Sequence, residues 1–368
     1  MTGNARLRET VWRVAEGRER LSGRDCLELL EGCDLLELGR AARTACEKRH
    51  PDGIATFVID RNINYTNVCV SGCRFCAFYR EPGHREAYLL KDEEIHAKVS
   101  EAIRNGATQI MLQGGLHPEL PLGYYEKLVA GIRARFPVEI HSFSPPEISH
   151  IAEVSRCSTR EVLARLKDSG LDSLPGGGAE ILVDRVRCEV SPNKIRSNRW
   201  LEVMREAHLL GMNSTATMML GSVETLDERV VHLEHLRALQ DETGGFRAFI
   251  AWIFQPGRTA LGGRPTSIHD YLRTLAAARL YLDNFEHIQG SWVTMGPQVG
   301  QISLLFGADD LGSLMLEENV VRATGVSFRM EKAEMIQLIR GAGRTPAERD
   351  TRYRVLAVYP ENKGGTRA

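Results

Sequence analysis

The chain has 368 residues, 43% of them hydrophobic and 26% charged, enough for a large core built either as two domains or as one barrel with extensions. Its 47 basic and 48 acidic residues leave a net charge of −1, which gives no electrostatic reason to expect nucleic acid or an anionic membrane as a partner. No apolar run approaches the roughly 20 residues that span a bilayer, and the start lacks an apolar signal core, so a cytoplasmic location and reduced thiols are expected.

Residues 1–53 read as an N-terminal helical extension. Leu7, Val11 and Val14 share one face, Ser22-x-x-Asp25 opens a second helix, and Leu35 to Lys48 forms a third that Pro51-Asp-Gly stops. Cys26, Cys33 and Cys46 lie here without a metal-ligand spacing and read as packing residues. From Ile54 the period changes. Strands are predicted at Ala55–Asn62, Thr108–Leu112, Val138–Phe143, Leu171–Leu174, Ser214–Leu220, Arg247–Phe254, His287–Thr294 and Gln301–Phe306. Amphipathic stretches lie between them, among them Asp92–Arg104, Tyr124–Arg135 and Ile268–Asn284. Strict alternation implies a parallel sheet with right-handed crossovers, and about eight units favour closure into a TIM-like (β/α)8 barrel over residues 54–330. Residues 331–368 are left as a C-terminal helix, Glu331–Gly341, and a tail. In that tail Thr345–Asp350 is expected to pack outside, Tyr353–Val358 to add a small strand, and Glu361–Ala368 to be disordered.

Chemistry concentrates in the loop after the first strand, Asn67-Val-Cys-Val-Ser-Gly-Cys-Arg-Phe-Cys-Ala-Phe-Tyr79. Thiolates at Cys69, Cys73 and Cys76 can hold three irons of a cubane cluster and leave the fourth iron open. The spacing fits neither a ferredoxin run nor paired Cys-x-x-Cys zinc ligands, although a zinc site completed by Cys157 or Cys188 stays open as an alternative. Side chains just past the strand ends of a parallel barrel converge on one mouth. Gln113-Gly-Gly115 is placed there by the second strand and His141-Ser-Phe-Ser144 by the third. Pro175-Gly-Gly-Gly-Ala-Glu180 follows the fourth strand, Thr217 and Glu224 the fifth, and Trp252 and Ser291–Thr294 the later ones. His141 reads equally well as an orienting group or as a satisfied core residue, and Glu180 as a ribose acceptor or a helix cap.

The Cys-x-x-x-Cys-x-x-Cys spacing, with Phe75 before the last cysteine, resembles the radical S-adenosylmethionine (SAM) enzymes. The wider set resembles the dehypoxanthine futalosine cyclase branch, which acts in the futalosine route to menaquinone. That set is Asn62–Tyr79, His141–Ile148, Ser173–Leu182, Asp241–Phe246 and Phe254-Gln-Pro-Gly257. Aminofutalosine synthase and the deazaflavin-cofactor synthases share much of the pattern. The resemblance implies a [4Fe-4S] cluster on Cys69, Cys73 and Cys76. It also implies SAM held by Phe75, Gln113, Gly114, Gly115, Ser144 and Glu180, with Leu116 standing where the family usually carries an acidic residue. A one-electron donor such as flavodoxin or ferredoxin would reduce the cluster. The implied reaction removes hydrogen from the ribose C4′ of dehypoxanthine futalosine and joins that carbon to the benzoate ring, whose aromaticity returns by loss of a proton and an electron, with His141 as the base for that deprotonation. An arginine, among Arg80, Arg247 and Arg258, would meet the substrate carboxylate. The non-enzymatic alternative is an iron–sulfur or zinc binding protein.

Overall fold

The computed structural model describes residues 3–360. Its strands are β1 (Ile54–Val58), β2 (Asp60–Ile63), β3 (Gln109–Leu112), β4 (Glu139–Ile140), β5 (Ser173–Leu174), β6 (Asn213–Leu220), β7 (Phe246–Ile253), β8 (His287–Gln289), β9 (Asp310–Ser313), β10 (Thr345–Arg349) and β11 (Val355–Val358). β1 and β2 are one strand interrupted at Ile59. β2 pairs with β3 and β3 with β4; a bridge from His141 to Ser173 joins β4 to β5, and the ladder continues through β6, β7, β8 and β9 back to β1. Every step is parallel, so the ladder closes into a barrel of eight strands with β1 and β2 counted together. Helices wrap its outside, as parallel crossovers require.

Strand alternation decides what faces the axis. In β6, Ala216, Met218 and Leu220 are buried beneath the surrounding helices, whereas Thr215 and Thr217 take the inward positions. The N-terminal helices Gly23–Gly32 and Leu35–Arg49 begin at Ser22 and Asp34, whose side-chain oxygens accept from Asp25 N and Glu37 N. Both pack against the helix Ile268–Tyr281. Cys26 and Cys46 are buried there, and burial pushes the Cys26 thiol up to about 12, as suits a packing residue.

Two expectations fail. Gln301–Phe306 is not the eighth strand; it ends the helix Pro297–Ser303, which Pro297 opens at a first-turn position. The closing strand is β9, a polar segment whose Asp310 is paid for by Arg349: Nε lies 2.6 Å from Oδ2 and Nη2 3.0 Å from Oδ1. Thr345–Arg349, expected outside, is β10. It lies parallel to β1 with Ile54 opposite Thr345, and Pro346 to Arg349 are buried. β11 then pairs antiparallel with β10, and the helix expected at Glu331–Gly341 runs Lys332–Gly341. Arg349–Tyr353 therefore closes the foot of the barrel. There Tyr353 stacks on His287 at 3.7 Å, and Asp309 receives Arg279 and, at 2.6 Å, His287 Nδ1. The expected disordered end, Glu361–Ala368, lies outside the described residues. No helix among the described residues is long and apolar enough to cross a membrane.

Candidate active site

The cysteine loop leaves β2 at the mouth of the barrel and folds back against the end of β3. Val70 N donates to Leu116 O at 3.1 Å, and Cys69 N donates to Arg80 O at 2.9 Å. The Arg80 guanidinium donates to the carbonyls of Ala77, Phe78 and Tyr79 at 3.2, 3.3 and 2.9 Å and gathers the loop tail into a turn. Backbone N–H groups of Leu116 and Ser71 point at Cys69 Sγ, 3.2 and 3.4 Å away, and Ser71 Oγ lies 3.0 Å from Cys73 Sγ. Donors aimed at sulfur favour the thiolate, the form that binds metal. Burial works the other way on the unmetallated thiols and pushes Cys73 up to about 11.

Cys69, Cys73 and Cys76 line one cavity of about 230 Å³ together with Phe75, Gln113, Gly114, Gly115, Ser144 and Glu180. Nine of the ten residues expected to hold the cluster, hold SAM or act as the base thus meet in one place. The strand-end glycines have a definite task. A Cβ on Gly115 would stand 2.1 Å from the Val68 carbonyl oxygen, and one on Gly114 would stand 2.5 Å from the Tyr65 ring, so the β3 end meets the cysteine loop backbone to backbone. Cys157 and Cys188 do not line the cavity, and Cys188 is exposed beside Arg196. The donor set is three thiols without a fourth cysteine, which fits an iron–sulfur cluster with one open iron better than a closed zinc site.

The tenth residue, His141, lies elsewhere. It lines a second cavity of about 120 Å³ deeper in the barrel, with Asp60, Gln109, Arg247 and Tyr353. Its Nδ1 is 2.7 Å from Ser173 Oγ, and burial, reinforced by Arg247 and Arg349, lowers its pKa to about 3. An imidazole so depressed is a weak acceptor, which argues against a base poised near neutral pH.

Glu147 and Lys194 line the mouth cavity too, and the sequence assigned neither a role. Glu147 is buried and accepts from Gly114 N and Tyr65 OH on one oxygen, both at 3.0 Å, and from Ser144 N and Oγ on the other, at 2.8 and 2.7 Å. It ties the β3 end to the helix Pro145–Ser155, for which Ser144 is the N-cap. Lys194 reaches in from a distant loop; its Nζ is 2.8 Å from Glu180 Oε1 and 5.1 Å from the centroid of Phe75. Burial would raise the pKa of Glu180, but Lys194 and Arg187 reverse the shift and hold it below the ordinary carboxylate value. Thr217 ties the glycine-rich loop through Gly176 O at 2.6 Å, whereas Glu224 is spent on Gly221, Ser222 and Arg229.

Comparison with known proteins places this geometry in context. The radical SAM superfamily model matches residues 63–236, and the model described as the CofH/MqnC C-terminal region matches residues 243–362. A cyclic dehypoxanthine futalosine synthase of Halalkalibacterium halodurans is 48% identical over 94% of each chain. Another of that name, from Streptomyces coelicolor, is 46% identical over 98% of this chain and 92% of its own. An aminodeoxyfutalosine synthase of Thermus thermophilus is 43% identical over 94% and 95%. Among solved structures, the hydrogenase maturase HydG of Carboxydothermus hydrogenoformans superposes with a TM-score of 0.74 at 19% identity, covering 95% of this chain and 81% of its own. Methylornithine synthase (PylB) gives 0.72 at 18%, covering 93% and 97%; both likenesses concern the fold.

Proposed function

The chain belongs to the radical SAM superfamily, in the family that contains the cyclic dehypoxanthine futalosine synthases, and from that membership we propose that it cyclises dehypoxanthine futalosine on the way to menaquinone. The observation that carries this reading is the meeting of three thiols at family spacing with the Gln113-Gly-Gly115 edge, Ser144 and Glu180 in one cavity. Cys69, Cys73 and Cys76 would hold a [4Fe-4S] cluster, and Phe75, Gln113–Gly115, Ser144 and Glu180 would hold SAM. Held there, this pair would supply the radical chemistry that removes a hydrogen atom from the substrate ribose.

The chain's own share is position and dryness. Glu147 holds the Gly114 N–H, so the Gly114–Gly115 backbone is presented in one orientation toward the cavity. Phe75, Phe78, Tyr79 and Trp252 wall the cavity, which limits water near a reactive carbon-centred radical. Lys194 and Arg187 keep Glu180 ionised, as an acceptor for hydroxyl or ammonium groups. Closure of the new ring within one bound molecule then needs orientation more than activation. A flavodoxin or ferredoxin would deliver the electron.

The test is anaerobic reconstitution with iron, sulfide, SAM and substrate deuterated at ribose C4′. Deuterium should appear in 5′-deoxyadenosine alongside a cyclised product. Adenosine carbons retained in the product would instead place the chain with the aminodeoxyfutalosine synthases.

A further inference from the structure

The cavity below the thiol site carries an inference that rests on the reading just given. We infer that it takes the aryl carboxylate end of the substrate, with Arg247 as counter-ion and specificity-determining residue.

The two cavities are successive levels of one barrel interior. Along β3, Gln109 and Met111 line the lower level and Gln113 the upper; along β7, Arg247 and Ile250 line the lower and Trp252 the upper. A molecule held against the upper site can therefore extend one end downward between the same strands. The lower cavity, about 120 Å³, compares with the roughly 150 Å³ apolar cavity that takes up benzene, so it suits one aromatic ring rather than a whole nucleoside. Met111, Ile250, Trp292 and Met315 supply apolar walls for such a ring.

Charge accounting then singles out one residue. Arg349 is neutralised by the bidentate pair with Asp310. Asp60 is taken up by Gln109 Nε2, which donates at 2.6 Å, and by Ser313 Oγ, and burial raises its pKa. His141 is neutral. Arg247 is left with Thr351 O at 3.0 Å and Ser173 Oγ at 3.5 Å, and no carboxylate among the described residues forms an ion pair with it. Of the buried arginines, Arg187, Arg229 and Arg279 each have one; Arg344, bonded to the Ile54 carbonyl, has none but does not line this cavity. A partly desolvated guanidinium without a counter-ion gains most from an anion that matches its planar fork, and a carboxylate on a flat ring is that anion. The competing arginines are committed elsewhere: Arg80 holds three loop carbonyls and Glu86, and Arg258 is exposed on the 257–264 loop.

The experiment measures binding to the anaerobic, cluster-loaded enzyme with SAM present, by equilibrium dialysis, for dehypoxanthine futalosine and for its benzamide counterpart. Wild type should hold the acid at least about tenfold more tightly than the amide, in the range expected for a charge-assisted pair. R247Q should lose that preference by weakening the acid alone, and R247K should retain part of it. Equal binding of acid and amide by wild type, or equal weakening of both by R247Q, overturns the inference while leaving the cyclase reading intact. Failure of wild type to bind either compound overturns both. The wild-type comparison stands even if R247Q folds poorly.

Discussion

At the scale of single residues, the three cluster cysteines stand apart from the other five by where their sulfurs lie. Cys69, Cys73 and Cys76 share a cavity into which Cys157 and Cys188 do not reach. Substituting Cys69 by Ala should abolish the cluster, whereas the double variant C157S/C188S should still load about four irons per chain, measured by iron and sulfide analysis and by electron paramagnetic resonance of the reduced protein. A fourth-ligand role for either outer cysteine would show as equal loss. The thiols could be read from spacing because their chemistry is local, and the Gly-Gly edge because it follows a strand. Glu147 and Lys194 could not. A glutamate three residues after a Ser N-cap reads as an ordinary capping box, and nothing near Lys194 in the sequence marks a partner fourteen residues back at Glu180. Ranking Arg247 above Arg80 and Arg258 required knowing which guanidinium is already occupied.

At the scale of elements, the misplaced eighth strand and the supposed outer tail have one physical cause. Gln301-Ile-Ser-Leu-Leu-Phe306 is a short apolar run, and such runs do not distinguish a buried strand from a buried helix. Asp310-Leu-Gly-Ser313 looks unlike a core strand until Arg349, from β10, is placed against it. The strands that were legible, such as β6 and β7, are long and make their pattern without a distant partner. Because Asp310 and Arg349 are both buried, R349M should destabilise the chain by about 3–5 kcal/mol, the cost of an uncompensated buried charge. The double variant R349M/D310N should recover a substantial part, and urea unfolding of the four members of the cycle measures it. Additive losses would mean that the pair contributes packing rather than charge compensation.

At the scale of the molecule, several imidazoles fold in their neutral form. Burial lowers His141 to about 3, His232 to about 3 and His208 to about 4, the last held between Thr243 Oγ1 and Ser214 Oγ at 2.7 Å each. A free imidazole titrates near about 6.5, so between these values the unfolded chain binds more protons than the folded one. Stability is then full above about pH 6.5 and falls as the medium is acidified. Each group contributes a slope of up to about 1.4 kcal/mol per pH unit. Urea midpoints should drop between about pH 7 and about pH 5.5, and the drop should be smaller in H208N; a flat profile would mean that these rings are solvated.

The pairing of β1 with β10 has a consequence for biosynthesis. Ile54 finds its neighbour Thr345 only after every barrel strand between them has been made, and the opposite edge of the same strand waits for Asp310. During translation the first strand must therefore leave the ribosome with both edges unsatisfied, a prolonged exposure that invites chaperone capture.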